Sequence, residues 1–419
     1  MNNEETQMSA AVHSQNRAAS IYFILVVTVL GLAARAFLLP IDSSDQQSFL
    51  IPWFDKINEL GPAGALKDGL GDYMPPYFWI MIIVNALPIS NKIYGLKFVS
   101  CFADLIAAVF IMKIVKKLTG SDTKAELSFA AAFMLPSALV DSAAWGQCDS
   151  IYTLFLIMCV YFLISGRDFA AVTCFSVSFV FKLQAVFLAP LIVIMVMKKK
   201  IRLRTLVMIP AVYVAAILPS ALCGRSLFSL FTLYFSQAAQ YNKLNMTLPN
   251  IWSIARDIKI DQVGMAGVIF AEACCLIVIY YLWRRDQTPG KRGTVLLAAM
   301  SALFVPYLLP YMHERYYYPA TLISLLIVFI DKRLAPLWFV VEYASATSMM
   351  SYLFDMNMYD ARFIAFFITA ALVLMFVYYC RLNGRDEPIG YVPAETASAA
   401  VPAEAVMQDT KQENSPKGD

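Results

Sequence analysis

Charge is scarce in this chain. Of 419 residues only 15% are Asp, Glu, Lys or Arg, while 59% are apolar. Soluble domains carry about a quarter charged residues. A water-soluble fold has too little interior for this much apolar surface, so lipid must solvate most of it. Histidine is scarcer still, with only His13 and His313 present. The eight cysteines are scattered singly or as Cys274-Cys275, mostly inside apolar runs. They read as small core residues rather than as a disulfide framework or a metal cluster. A net charge of +3 leaves no basic footprint for a nucleic acid. No small-residue cleavage site follows the first apolar run at Ile21, so that run reads as a retained helix. Standard phosphate and metal motifs are missing as well. There is no dinucleotide fingerprint. The glycine-rich segment from Gly61 to Gly71 lacks the Gly-Lys-Ser/Thr end of a phosphate loop. After His313-Glu314, Tyr317 stands where a zinc-protease helix needs its second histidine.

What the chain does have is a succession of apolar runs. They cover residues 21–39, 98–115, 125–144, 151–164, 169–181, 185–197, 206–222, 263–283, 295–311, 316–330, 337–351 and 361–379. A helix needs about 17–20 residues to cross a bilayer, so the shorter runs must borrow flanking residues. The run 77–87 is shorter still and follows Pro75-Pro76. It suits a re-entrant or interfacial helix. Orientation supports this choice. With Arg17 inside and 77–87 not crossing, Lys116, Lys117 and Lys124, Lys198–Lys200, Arg284 and Arg285, Lys291 and Arg292, and Lys332 and Arg333 all fall on the cytoplasmic side. If 77–87 crosses, these clusters flip outward, against the positive-inside rule. The expected fold is all-α and polytopic, with about twelve spans and both termini cytoplasmic. Residues 1–20 form an N-terminal tail, 21–382 one membrane domain, and 383–419 a disordered tail rich in Ala, Glu, Pro and Ser. Two outer loops are long, 40–97 and 223–262. The first is expected to hold amphipathic helices, one of them over 49–60.

In this orientation the unusual polar groups gather at the outer face. The first loop holds Asp42, Asp45, Asp55, Glu59, Asp68 and Asp72. The third run ends in Asp141-Ser-Ala-Ala-Trp145-Gly-Gln147-Cys-Asp149. Lys182 and Gln184 sit at an outer turn, and the ninth run leads into His313-Glu314-Arg315. Ionisable groups near a bilayer are expensive and therefore functional candidates. Carboxylates facing Lys, Arg and His at one depth suit a base beside an anion-binding site. Each residue also has an ordinary explanation. Loop carboxylates are usually solvated charge, Lys182 could snorkel, and a single histidine is more often a structural hydrogen-bonder. The Tyr316–Tyr318 rings suit an interfacial belt. Arg35, Asp104, Glu272 and Glu342 are expected to pair helix to helix. Asn245-Met-Thr247 fits a glycosylation acceptor, a tripeptide common by chance. Asp45 stands out because it lies close to the exit of the first span, before the amphipathic stretch 49–60.

The ordered set of Ser44-Asp45-Gln46-Gln47, Asp72-Tyr73-Met-Pro75-Pro76, Trp145-Gly-Gln147-Cys-Asp149, Phe181-Lys182-Leu-Gln184 and His313-Glu314-Arg315 resembles the GT-C glycosyltransferases that use polyprenyl-phosphate sugars. It is most similar to the dolichyl-phosphate-glucose-dependent glucosyltransferases of N-glycan assembly and to prokaryotic proteins related to the second mannosyltransferase of GPI-anchor synthesis. The resemblance implies inverting transfer of a hexose from a polyprenyl-phosphate donor to a glycan, lipid or protein acceptor. It implies Asp45 as catalytic base, and Arg315, Lys182 and His313 beside the leaving phosphate. Asp42, Asp72, Gln147, Asp149, Gln184 and Glu314 would line the substrate site. It also implies no metal and no cofactor. Met74, Trp145 and Asp149 depart from the glucosyltransferase pattern and favour the mannosyltransferase-related branch. The competing readings are a lipid or sugar transporter, which tends to show repeated halves that are missing here, and a surface-polysaccharide polymerase.

Overall fold

The computed structural model describes residues 2–71, 73–238, 244–254, 260–356, 358–382 and 386–389. Among these the backbone is almost wholly helical. Two short strands, Asn245–Met246 (β1) and Met312–His313 (β2), pair in parallel.

Every apolar run of the sequence coincides with a helix. In chain order they are α1 (Asn2–Leu38), α2 (Ile51–Asp68), α3 (Pro75–Ala86), α4 (Lys92–Thr119), α5 (Asp122–Phe133), α6 (Asp149–Ile164), α7 (Asp168–Phe181), α8 (Ala189–Met197), α9 (Met208–Leu222), α10 (Ile260–Arg284), α11 (Lys291–Leu308), α12 (Tyr318–Ile330), α13 (Ala335–Leu353) and α14 (Ala361–Arg381). Helix α1 starts well before its apolar run. Helix α2 carries the expected amphipathic stretch and kinks at Gly61, whose φ is 68°.

Five stretches are long and apolar enough to cross a membrane: Arg17–Leu38, Lys92–Thr119, Leu203–Leu222, Gly264–Arg284 and Ala361–Arg381. A sixth is the pair Asp122–Phe133 and Pro136–Trp145, bent by 41°. Against about twelve expected spans, the remaining apolar runs include helices of 10–17 residues, among them α3, α6, α7 and α12. Protein rather than lipid surrounds much of their length. Tyr152, Leu156, Ile157, Cys159 and Val160 of α6 are fully buried. By contrast, Ile21, Leu25 and Val29 of α1, Leu276 and Ile277 of α10, and Phe363 and Phe366 of α14 are exposed. Apolar surface of this extent is sustained only by lipid. The chain is a polytopic membrane protein.

Local chemistry sets the breaks. Asn91 caps α4 by accepting hydrogen bonds from the Ile93 and Tyr94 amides at 3.0 and 3.3 Å. Gly120 ends α4 in a left-handed conformation, and Ser121 caps α5. Pro75 and Pro76 open α3, where a missing N–H costs nothing. Pro136 breaks the pair that follows α4. The chain then passes through a π-helical turn, Leu139–Trp145, and ends at Gly146.

Helix α4 packs on α5 and α6, α6 on α7, and α11 on α12. Arg35 and Asp104 form a buried ion pair at 3.0 Å. Glu342 accepts from the Ser137 amide and hydroxyl at 3.0 and 2.7 Å. Both act as helix-to-helix ties, while Glu272 is exposed. Parts of the second long loop, 239–243 and 255–259, and most of the tail, 383–385 and 390–419, lie outside the described residues. Within the tail, Asp386 accepts hydrogen bonds from the amides of Gly290, Arg292 and Gly293 at the start of α11.

Candidate active site

The candidate residues lie where the short helices end. Asp45 sits just after α1, at the start of the π-helical turn Gln46–Leu50. Its carboxylate accepts from Gln147 Nε2 at 2.8 Å, Trp145 Nε1 at 3.1 Å and the Tyr352 hydroxyl at 3.1 Å. Arg315 Nη1 lies 3.9 Å away. Asp45 keeps 18% of its side-chain surface accessible.

The Trp145-Gly-Gln147 turn can present two donors to one carboxylate because Gly146 takes φ 78°. A Cβ at that position would also meet Lys97 Cγ at 2.9 Å. Three carbonyls around this turn are engaged. Gln46 Nε2 donates to Trp145 O at 2.8 Å, Lys97 Nζ to Ala144 O at 2.9 Å and Ser100 Oγ to Gln147 O at 2.7 Å. Lys97 also donates to Leu39 O at 2.8 Å and Ile41 O at 2.6 Å. One ammonium thus ties the exit of α1 to the turn that grips Asp45.

Asp149 opens α6 and is fully buried. Lys182, at the end of α7, donates to its Oδ2 at 2.6 Å. Arg315 Nε lies 3.4 Å from the same oxygen. The rings of Tyr73, Tyr152 and Tyr316 surround the Lys182 ammonium at 5.6–6.0 Å. These ring faces are favourable to a cation removed from water. Arg315 Nη1 donates to Glu314 Oε1 at 2.9 Å, and its guanidinium lies 5.2 Å from the Trp145 ring centre. His313 Nδ1 is 3.8 Å from Glu314 Oε2.

Strand pairing positions this last group. His313 pairs with Met246, and the Tyr317 hydroxyl donates to Pro249 O at 2.7 Å. The second long loop therefore holds 312–317 in place. Asn245 takes part: its Nδ2 donates to Leu248 O at 2.9 Å and Ser253 Oγ at 2.7 Å. That amide is committed to the loop itself.

Electrostatics follow from burial and pairing. Burial pushes the His313 imidazole below its ordinary value, and Arg315 adds to that, which favours the neutral ring. Burial would raise the Glu314 carboxyl, but the hydrogen bond with His313 and the Arg315 guanidinium more than offset it, so it is held down. Burial also works against the Arg315 cation, yet Glu314 and Asp149 outweigh it and keep the guanidinium charged.

The structure thus joins Asp45, Gln147, Asp149, Lys182, His313, Glu314 and Arg315 in one chain of contacts. Asp42 is exposed and has no ion-pair partner among the described residues. Gln184 is half-buried in the short helix Leu183–Leu188, with its Oε1 lacking a hydrogen bond among the described residues. Asp72 lies outside the described residues. Three contributors escaped the sequence reading: Lys97, Gln46 as a backbone clamp, and Tyr352. Lys97 sits at the start of an apolar run, a signal that was available. Tyr352 closes α13 more than 300 positions from its partner and carries no local signature.

A carboxylate reachable from water next to a fixed cation could take a proton from a hydroxyl opposite an anionic leaving group. No curated protein matches the chain. The family model of glycosyltransferase family 87 matches residues 73–306, more than half of the chain. This span takes in Gln147, Asp149, Lys182 and Gln184; Asp45 precedes it and His313–Arg315 follow it. The chain belongs to glycosyltransferase family 87 and is a membrane-embedded glycosyltransferase.

Proposed function

We propose that this glycosyltransferase moves a hexose, of mannose or glucose type, from a polyprenyl-phosphate donor to an acceptor hydroxyl, with inversion. The site faces the extracytoplasmic side. The observation that carries this reading is the contrast between Asp45 and its neighbours. Asp149 and Glu314 are buried and ion-paired. Asp45 is held mainly by neutral donors and stays reachable from water.

In the proposed step the acceptor hydroxyl gives its proton to the Asp45 carboxylate. Its oxygen forms a bond to the anomeric carbon from the face opposite the phosphate. The bond from that carbon to the phosphate oxygen breaks, and its electron pair leaves with the polyprenyl phosphate. The phosphate gains negative charge as it departs, so donors fixed beside it lower the barrier. Among the described residues the only hydrogen bond of the Arg315 side chain is to Glu314, which leaves further guanidinium N–H groups for a phosphate oxygen. Lys182 supplies the second cation. The apolar surface around α3 and α9 suits an isoprenoid tail, with Tyr77, Phe78 and Met81 packed behind it.

Incubation of the reconstituted protein with labelled polyprenyl-phosphate mannose and glucose, followed by mass measurement of acceptors, tests this reading. A product heavier by one hexose, with inverted anomeric configuration, is expected. Transfer from a soluble nucleotide sugar but not from either lipid donor would overturn it.

A further inference from the structure

A second polar site lies at the opposite end of the helices. Helix α4 runs from Lys97, beside the candidate active site, to Lys116 and Lys117. At 1.5 Å per residue these ends are about 30 Å apart, the thickness of a bilayer core. At the far end is a cavity of about 570 Å³. Lys116 and Lys117 from α4, Lys124 from α5, and Lys291 and Arg292 from α11 line it, with Glu387 as its carboxylate. Lys116 pairs with Asp122 at 2.7 Å and Lys291 with Glu387 at 2.9 Å. Lys117, Lys124 and Arg292 have no carboxylate within ion-pair distance among the described residues. Cationic charge therefore exceeds anionic charge in a concave site of small-molecule size.

The chain itself shows that the surroundings favour anions. Asp386 fills the amide cradle at the start of α11, as expected for the otherwise unpaired amides of a helix N-terminus. Leu118, Phe329 and Ile330, at the ends of α4 and α12, give the wall an apolar part beside Thr119 and Gly120. Cations below and apolar side chains beside them match an amphiphile with an anionic head.

The geometry points to a phosphate-binding site at this end, remote from the sugar-transfer site and fitted to a phosphodiester headgroup of an anionic lipid. A free phosphate shares the recognition chemistry but would make no use of Leu118, Phe329 and Ile330.

The test uses the full chain in detergent, stripped of lipid. Phosphatidylglycerol or phosphatidylcholine is added and retention is read by native mass spectrometry. One phosphatidylglycerol should be kept where phosphatidylcholine is lost. Lys117→Gln, Lys124→Gln and Arg292→Gln together should weaken that retention about tenfold or more, because each cation near an anionic headgroup contributes measurably. A control removes the same charge from the same end: Lys199→Gln, Lys200→Gln and Arg204→Gln. It should retain the lipid, which separates pocket binding from loss of topogenic charge. Displacement of phosphatidylglycerol by millimolar inorganic phosphate would support the site with free phosphate as its source. Equal retention by the pocket variant, equal loss in the control, or no preference over phosphatidylcholine would overturn the inference.

Discussion

Trp145 and Tyr352 stack at 5.0 Å, nearly parallel, and each donates a hydrogen bond to the same carboxylate, Asp45. Two rings from distant parts of the chain thus fix one small acid by its two oxygens. With Gln147 on one of those oxygens as well, the rotamer of Asp45 is held from several sides. A carboxylate held in this way would lose little orientational freedom when a hydroxyl arrives.

Asp45→Asn keeps the shape and the contact with Tyr352 but removes the proton acceptor. Turnover should fall about a thousandfold, within the range for loss of general-base catalysis. Thermal stability should stay close to that of the wild type. Sugar transfer by the purified variant, read beside its unfolding midpoint, checks both. Transfer at more than a tenth of the wild-type rate would be about a hundred times less loss than expected and would remove Asp45 from this role.

Lys182 and Asp149 form a different kind of pair. Both are nearly inaccessible, at 3% and 0%, and lie 2.6 Å apart. Asp149→Asn would leave a buried ammonium without its nearest counter-charge, at a cost of about 3–5 kcal/mol. Lys182→Met would leave Asp149 facing Arg315 alone. The double variant Asp149→Asn, Lys182→Met should recover part of the stability lost in either single variant, because the uncompensated charge is gone. Unfolding midpoints of all three against the wild type measure that coupling. Strictly additive losses would mean that the two residues act separately.

Arg315 approaches three carboxylates, Asp45, Asp149 and Glu314, through a planar fork. Lysine carries the charge but not the fork. Arg315→Lys should raise the donor KM and lower kcat/KM for the donor about tenfold or more, as a lost hydrogen bond to a charged group is worth about 1.5–3 kcal/mol. The acceptor KM should move less. Steady-state kinetics with each substrate varied in turn distinguishes the two. A change confined to the acceptor would place Arg315 on the other side of the reaction.

The helices were legible in the sequence because lipid, as solvent, demands long apolar stretches and leaves little ambiguity about where they lie. Their crossing was less legible. Helices such as α6 and α12 are short and enclosed by protein, and an apolar run reads the same whether lipid or protein covers it. The cluster at Asp149, Lys182 and Arg315 was visible as charge that apolar surroundings would not otherwise tolerate. Lys97 and Tyr352 were not, since what they do depends on chain ends brought together from far apart. Lys97 acts on the carbonyls of Leu39, Ile41 and Ala144, and a carbonyl leaves no mark in a sequence.

His313 gives the site a dependence on pH with a definite sign. Its folded-state value lies below the ordinary 6.5 because burial disfavours the imidazolium, with Arg315 in addition. As pH falls below 6.5 the unfolded chain takes up a proton before the folded chain does, so acidification shifts the balance toward unfolding. Glu314 is likewise held below its ordinary 4.5 and adds a further loss of the same sign at lower pH. The unfolding midpoint should therefore decline between neutral pH and about 5, the window in which an ordinary histidine titrates. His313→Gln removes the titrating group but keeps a hydrogen-bonding side chain, so its midpoint should be flatter over that window. Glu314→Gln removes a partner that holds the His313 value up, so the decline above pH 5 should persist or steepen while the loss beyond it shrinks. Parallel curves for wild type and His313→Gln would show that other groups govern acid stability. They would also remove the reason to treat His313 as the neutral member of the cluster.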